Sequence, residues 1–111
     1  MKAITEEVVQ AFIGNYSFMK SNTEVTTGAN REMKLHGNTI ARVNRGDFEI
    51  SHCGYTTVTT KERLNGLLTT LNAPTLYQRD YNWYYTDREG VRCPYESTVQ
   101  SNGFISLSYL I

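Results

Sequence analysis

The chain has 111 residues, 11 Lys plus Arg against 11 Asp plus Glu, and a formal net charge of zero. A chain of this size buries about two thirds of its extended surface, enough for one modest core without disulfide staples. With 40% hydrophobic and 20% charged residues the composition excludes a disordered chain. Balanced charge gives no long-range steering toward bare nucleic acid, and it removes one protection against self-association.

The first helix is predicted over Thr5 to Ile13. Thr5 is placed to cap it, and Glu6 and Glu7 suit the positive helix end. Val8, Val9, Phe12 and Ile13 form an apolar stripe at helical spacing, and Gly14 with Asn15 supplies a stop. Such a short helix needs a sheet to pack against. The opening MKAITEEVVQAFIG holds two acids and no apolar stretch of signal-peptide length, and no later run reaches membrane length. The expected compartment is cytoplasmic.

Strands follow. Tyr16, Phe18 and Val25 lie in short extended pieces separated by the turn-like KSNTE, and TTGAN breaks the chain at Gly28. EMKLH alternates Met33 and Leu35 with Lys34 and His36. Gly37-Asn38 marks a tight turn, TIARV resumes extension, and Asn44-Arg45-Gly46-Asp47 is a hairpin signal. In DFEIS, Phe48 and Ile50 share one face and Glu49 takes the other, a solvated one.

Thr59-Thr60-Lys61-Glu62 fits a capping box for a second helix, in which Leu64, Leu67, Leu68 and Leu71 form a core stripe. Gly66 weakens that helix, and Asn72 and Pro74 end it. TLYQR, NWYYT and ISLSYL then have the composition of sheet. Turns are predicted at Asp80 to Asn82, at Asp87 to Gly90 and at Ser101 to Gly103, with Cys93-Pro94 ending an extended piece. The apolar carboxyl end up to Ile111 is expected to be tied into the sheet. The whole describes one α+β domain over residues 1–111, a twisted antiparallel sheet of short strands packed against two helices.

The stretch from His36 to Leu68 carries Gly37, Asn38, Ile40, Ala41, Ser51, Gly54, Tyr55, Thr57, Thr59, Thr60, Lys61, Arg63, Leu64, Asn65, Leu67 and Leu68. In this order they resemble an "IA" strand and "isxxGyxTxTTkxRLNxLL" segment found in small bacteriophage accessory proteins, and Tyr77 to Tyr85 resembles the strand pair that follows it. That family carries no established reaction, so the resemblance implies a phage accessory product and assigns no residue a role. Many such products bind host proteins, including defence systems.

Chemistry-bearing residues are sparse. Cys53 and Cys93 are too few for a disulfide framework, and in a cytoplasmic protein they are expected to remain unbridged. With only His36 and His52 beside them, no metal and no cofactor is expected. The Thr56 to Thr60 run reads as a β-branched strand ending in a cap. Its sharper alternative is an anion held at the helix start with Lys61, but no phosphate loop precedes it. No catalytic constellation emerges from the histidines, cysteines or the Asp47 and Glu49 carboxylates, and the protein is not expected to be an enzyme.

The strongest compositional feature is aromatic: Tyr77, Tyr81, Trp83, Tyr84, Tyr85 and Tyr95 fall close together, beside Arg79, Arg88 and Arg92. Alternation puts Trp83 and Tyr85 on one strand face and Tyr84 on the other, so one set covers the core and the other faces outward. The candidate interface comprises Arg79, Tyr81, Trp83, Tyr84, Tyr85 and Arg88, with Lys61 and Asn65 on the second helix. The leading expectation is a non-enzymatic binding protein in the host cytoplasm, an inhibitor of a host defence protein of anti-CRISPR or anti-restriction type. A nucleic-acid-binding accessory role, a phage structural or assembly role and homodimerisation stay open beside it, and no membrane partner is expected.

Overall fold

A computed structural model describes residues 2–110. In chain order it contains helix α1 (Ala3–Gly14), strands β1 (Phe18–Lys20), β2 (Thr23–Thr26), β3 (Glu32–Leu35), β4 (Asn38–Asn44) and β5 (Asp47–Ile50), helix α2 (Val58–Thr70), strands β6 (Tyr77–Arg79), β7 (Asn82–Thr86) and β8 (Arg92–Pro94), helix α3 (Tyr95–Thr98), strand β9 (Ile105–Ser106) and helix α4 (Leu107–Leu110). The architecture is α+β. The strands divide into two antiparallel sheets, one of order β1-β2-β3-β4-β5-β9 and a smaller one of order β6-β7-β8.

Alternation along the large sheet turns Val25, Met33, Leu35, Ala41 and Ile50 into a core that they share with Val8, Val9 and Phe12 of α1 and Leu64, Leu67 and Leu68 of α2. The opposite face carries charge in register: Glu32 pairs with Arg42 across β3 and β4, and Arg42 with Glu49 across β4 and β5. Glu49 is buried rather than solvated, at 5% exposure. The Arg42 Nε–H donates to it at 2.8 Å, and the same guanidinium lies 3.9 Å from the Phe104 ring. A paired and covered carboxylate tolerates this burial.

Both expected helix caps move. α1 begins at Ala3 with Lys2 at its N-cap and no side-chain cap. The Thr5 hydroxyl instead donates to Glu62 Oε1 at 2.9 Å and accepts from Arg63 at 2.7 Å. Asn15, not Gly14, takes the left-handed residue that closes the helix, at φ 58°. α2 begins one residue before Thr59, and Thr57 caps it by accepting the Thr60 N–H at 3.1 Å. Glu62 makes no capping box because α1 engages its carboxylate through Thr5 and Lys2. Thr56 and Thr57 are therefore loop, and Val58 to Thr60 are helix rather than strand.

Arg63 joins three elements. Buried on α2, it donates to Thr5 of α1 and, at 3.4 Å, to Thr23 of β2. The two-residue turn between β3 and β4 is His36-Gly37, one position earlier than expected, with φ of 52° and 80°. At the far end ISLSYL is not one strand: β9 lasts two residues and α4 follows. Leu107 and Leu110 are both buried, and a spacing of three puts both on one side of a helical turn, not of a strand. Ile111 lies outside the described residues.

A candidate protein interface on the small sheet

The small sheet starts from α2. Asn65 donates its Nδ2–H to the Leu76 carbonyl at 2.9 Å and accepts the Leu76 N–H at 2.7 Å. This bracket fixes the residue that enters β6. From there Tyr77 pairs with Tyr84, Gln78 with Trp83 and Arg79 with Asn82, around a two-residue turn of Asp80 and Tyr81. On the other side of β7, Tyr84 pairs with Pro94, Tyr85 with Cys93 and Thr86 with Arg92.

This register sorts the aromatic cluster. Trp83 and Tyr85 point into the core, at 3% and 4% exposure, and so leave the candidate interface. Trp83 meets the ring edges of His52 and Tyr95, at centroid distances of 5.3 and 5.8 Å. The Tyr85 hydroxyl shares a 2.9 Å hydrogen bond with Thr98, and burial raises its pKa above the ordinary tyrosine value. Asn65 also leaves the surface group, because both ends of its amide are engaged by Leu76. Lys61 is half-buried on the first turn of α2 and makes no ion pair among the described residues.

The outward face keeps Tyr84 and Arg79 and gains two residues. Tyr77 stacks on Tyr84 with centroids 5.9 Å apart and 29° between planes, and the Arg92 guanidinium lies 5.4 Å from the Tyr84 ring. Tyr77 was legible in principle: a two-residue turn at Asp80-Tyr81 makes Tyr77 and Tyr84 cross-strand partners. Arg88 sits exposed in the turn between β7 and β8. The Asp87 carboxylate holds that turn by accepting the N–H groups of Glu89 and Val91, each at 2.9 Å.

Tyr81 stands apart. It is 92% exposed at the tip of the β6–β7 hairpin, with φ 68°, after Asp80 at φ 51°. Two left-handed residues make a type I′ turn, whose second position strongly favours glycine. A bulky aromatic residue there is strained, and strain of this kind collects at binding sites.

His52 docks the small sheet onto the large one. It lies in a turn whose next residues, Cys53 and Gly54, have φ of 54° and 80°, not on a regular strand. Its backbone N–H donates to the Tyr95 hydroxyl at 2.9 Å, and its ring stacks on Tyr95 at 4.3 Å. Nδ1 accepts the Gly54 N–H at 2.9 Å, so Nε2 carries the proton that faces Glu96 at 2.9 Å. Nδ1 thus closes its own turn, and Nε2 holds Glu96 of α3. Burial raises the Tyr95 phenol above its usual pKa.

The other sequence candidates remain scattered. Cys53 and Cys93 are free thiols, and the Cys53 S–H donates to the Thr39 carbonyl at 2.7 Å. His36 contacts Asn22. Among the described residues no three His, Cys, Asp or Glu side chains are placed to hold a metal ion. A groove of about 340 Å³ runs between the His36-Gly37 turn and the start of α2, lined by Leu35, Asn38, Ile40, Tyr55, Thr57 and Thr60. The Thr57 and Thr60 hydroxyls bond each other there at 3.0 Å.

Residues 1–105 match the family model described as Kyanoviridae Gp96 protein. The chain belongs to that family. It is therefore a bacteriophage protein, as the His36 to Leu68 segment implied. No curated protein and no solved structure matches it. No helix among the described residues is long and apolar enough to cross a membrane.

Proposed function

We propose that this phage protein works by stoichiometric binding to a host protein in the host cytoplasm, through the outer face and hairpin tip of the small sheet. The observation that carries the reading is Tyr81, an aromatic side chain held almost fully exposed on a left-handed residue where glycine would be the relaxed choice. Its neighbours fit an interface anchor: a stacked Tyr77–Tyr84 pair beside Arg92, residue types enriched where binding energy concentrates. Phage origin supports a host defence protein as the target, with inhibition as the consequence.

Exposed tyrosines beside arginines also suit stacking on single-stranded bases. Asp80, Asp87 and Glu89 lie in the turns at the two ends of the sheet, so a continuous phosphate backbone running along it would pass acids at both ends, whereas single groups set over the middle of the face would not. The test is capture from host lysate by the parent chain and by Tyr81→Gly and Tyr84→Ser variants, with and without nuclease. A nuclease-resistant host protein retained by the parent and lost by both folded variants is expected. Identical capture by all three overturns the reading. Nuclease-sensitive recovery favours the nucleic-acid role, and doubling of the mass of the parent alone in solution favours a homodimer.

A further inference from the structure

Resting on that reading of the small sheet, we infer that its partner is a protein surface presenting carboxylates to Arg79 and Arg92 on either side of the Tyr77–Tyr84 pair. The strand pairing places Tyr77, Arg79, Asn82, Tyr84, Thr86 and Arg92 on one face, which bears two cations and no acid. Lys2, Lys20, Lys34, Arg42 and Arg63 each lie within ion-pair distance of a glutamate, whereas Arg31, Arg45, Lys61 and Arg88 do not, and none of these four lies on this face. Arg79 and Arg92 have no such partner among the described residues. The nearby Asp87 carboxylate is engaged by its own turn, accepting the Glu89 and Val91 N–H groups and facing the Cys93 thiol.

Arg92 is also pre-positioned. Its guanidinium rests on the Tyr84 ring, which restricts the side chain before any partner arrives and leaves N–H donors for a carboxylate. Arg79 is four strand positions and two strand spacings away, a separation of about 16 Å from ordinary sheet dimensions. Two acidic groups on a partner surface, flanking a contact with the tyrosines, match both the distance and the charge.

The probe is poly-L-glutamate, titrated against isotopically labelled protein while backbone amide shifts are followed, with an oligothymidylate of similar charge as the comparison. Saturable shifts confined to residues 77–94, weaker at higher salt, are expected from the polyglutamate. Arg79→Glu with Arg92→Glu should weaken them roughly tenfold, the order of two exposed charge pairs. Arg79→Gln with Arg92→Gln guards against a folding defect, and thermal melts check both. Absent shifts, shifts unchanged in both double variants, or tighter oligothymidylate binding at this face would overturn the acidic partner. In lysate capture, loss with Tyr84→Ser but not with Arg79→Glu/Arg92→Glu leaves the binding face standing and removes its acidic specificity. Retention by every variant removes the face itself.

Discussion

Asn65 reads the backbone of Leu76 as a neighbouring strand would, donating to its carbonyl at 2.9 Å and accepting its N–H at 2.7 Å. One amide on α2 therefore replaces ladder hydrogen bonds at the point where the chain enters the small sheet, and Leu76 itself is buried. Asn65→Ala leaves a backbone donor and acceptor unpaired and should cost about 2–4 kcal/mol. Asn65→Asp keeps the acceptor and loses the donor, and should fall between. Denaturant unfolding of the three proteins orders them.

Glu62 sets an acid dependence. Burial pushes its pKa up, but the Thr5 hydroxyl, Lys2 and Arg63 outweigh that and hold it below the usual 4.5. A folded value below the unfolded one adds stability that is full above the unfolded pKa and lost as pH falls through the folded pKa. Glu62→Gln should therefore lower stability near neutral pH and flatten the decline below about pH 4.5. Unfolding midpoints measured across the acid range for parent and variant give the comparison.

Tyr81→Gly relieves a left-handed aromatic residue. Removing the strain outweighs the extra freedom glycine gives the unfolded chain, for a net gain of about 0.5–1 kcal/mol. A raised melting temperature together with lost partner capture is the expected pair of results. A variant less stable than the parent would contradict the strained-turn account.

The cap of α2 separates two neighbouring threonines. Thr57→Ala should cost about 1 kcal/mol because Thr57 accepts the Thr60 N–H. Thr59→Ala, within the first turn, should stay within about 0.5 kcal/mol. Equilibrium unfolding of both variants distinguishes this cap from one at Thr59.

Adjacent tyrosines on β7 should behave oppositely. Tyr85→Ser opens the core beneath the small sheet and should cost about 3–5 kcal/mol. Tyr84→Ser loses a half-buried stack with Tyr77 and should cost about 1 kcal/mol, within the range of an aromatic pair. Calorimetric melts of the two proteins read the difference.

The sequence determined the elements wherever a local rule was enough. Period-3.6 leucines marked α2, alternation marked β3 and β5, and the Arg45-Gly46 turn followed from its residue types. Alternation also required Tyr84 to face away from Trp83 and Tyr85. Competition between local and distant partners was decided only by the tertiary structure. Thr5 and Glu62 both carry capping side chains, but each satisfies the other and Arg63 across the α1–α2 contact instead. Asn65, polar on a helix, has the sequence signature of a surface residue, but the fold brings Leu76 against it. Glu49, an acid beside a turn, has the sequence signature of a solvated residue, but the fold covers it with Arg42 and Phe104. Which aromatic set lies inward depended on His52 and α3 closing over one face of β7. A polar side chain states what bonds it can make, and only the folded chain sets which partner is nearest.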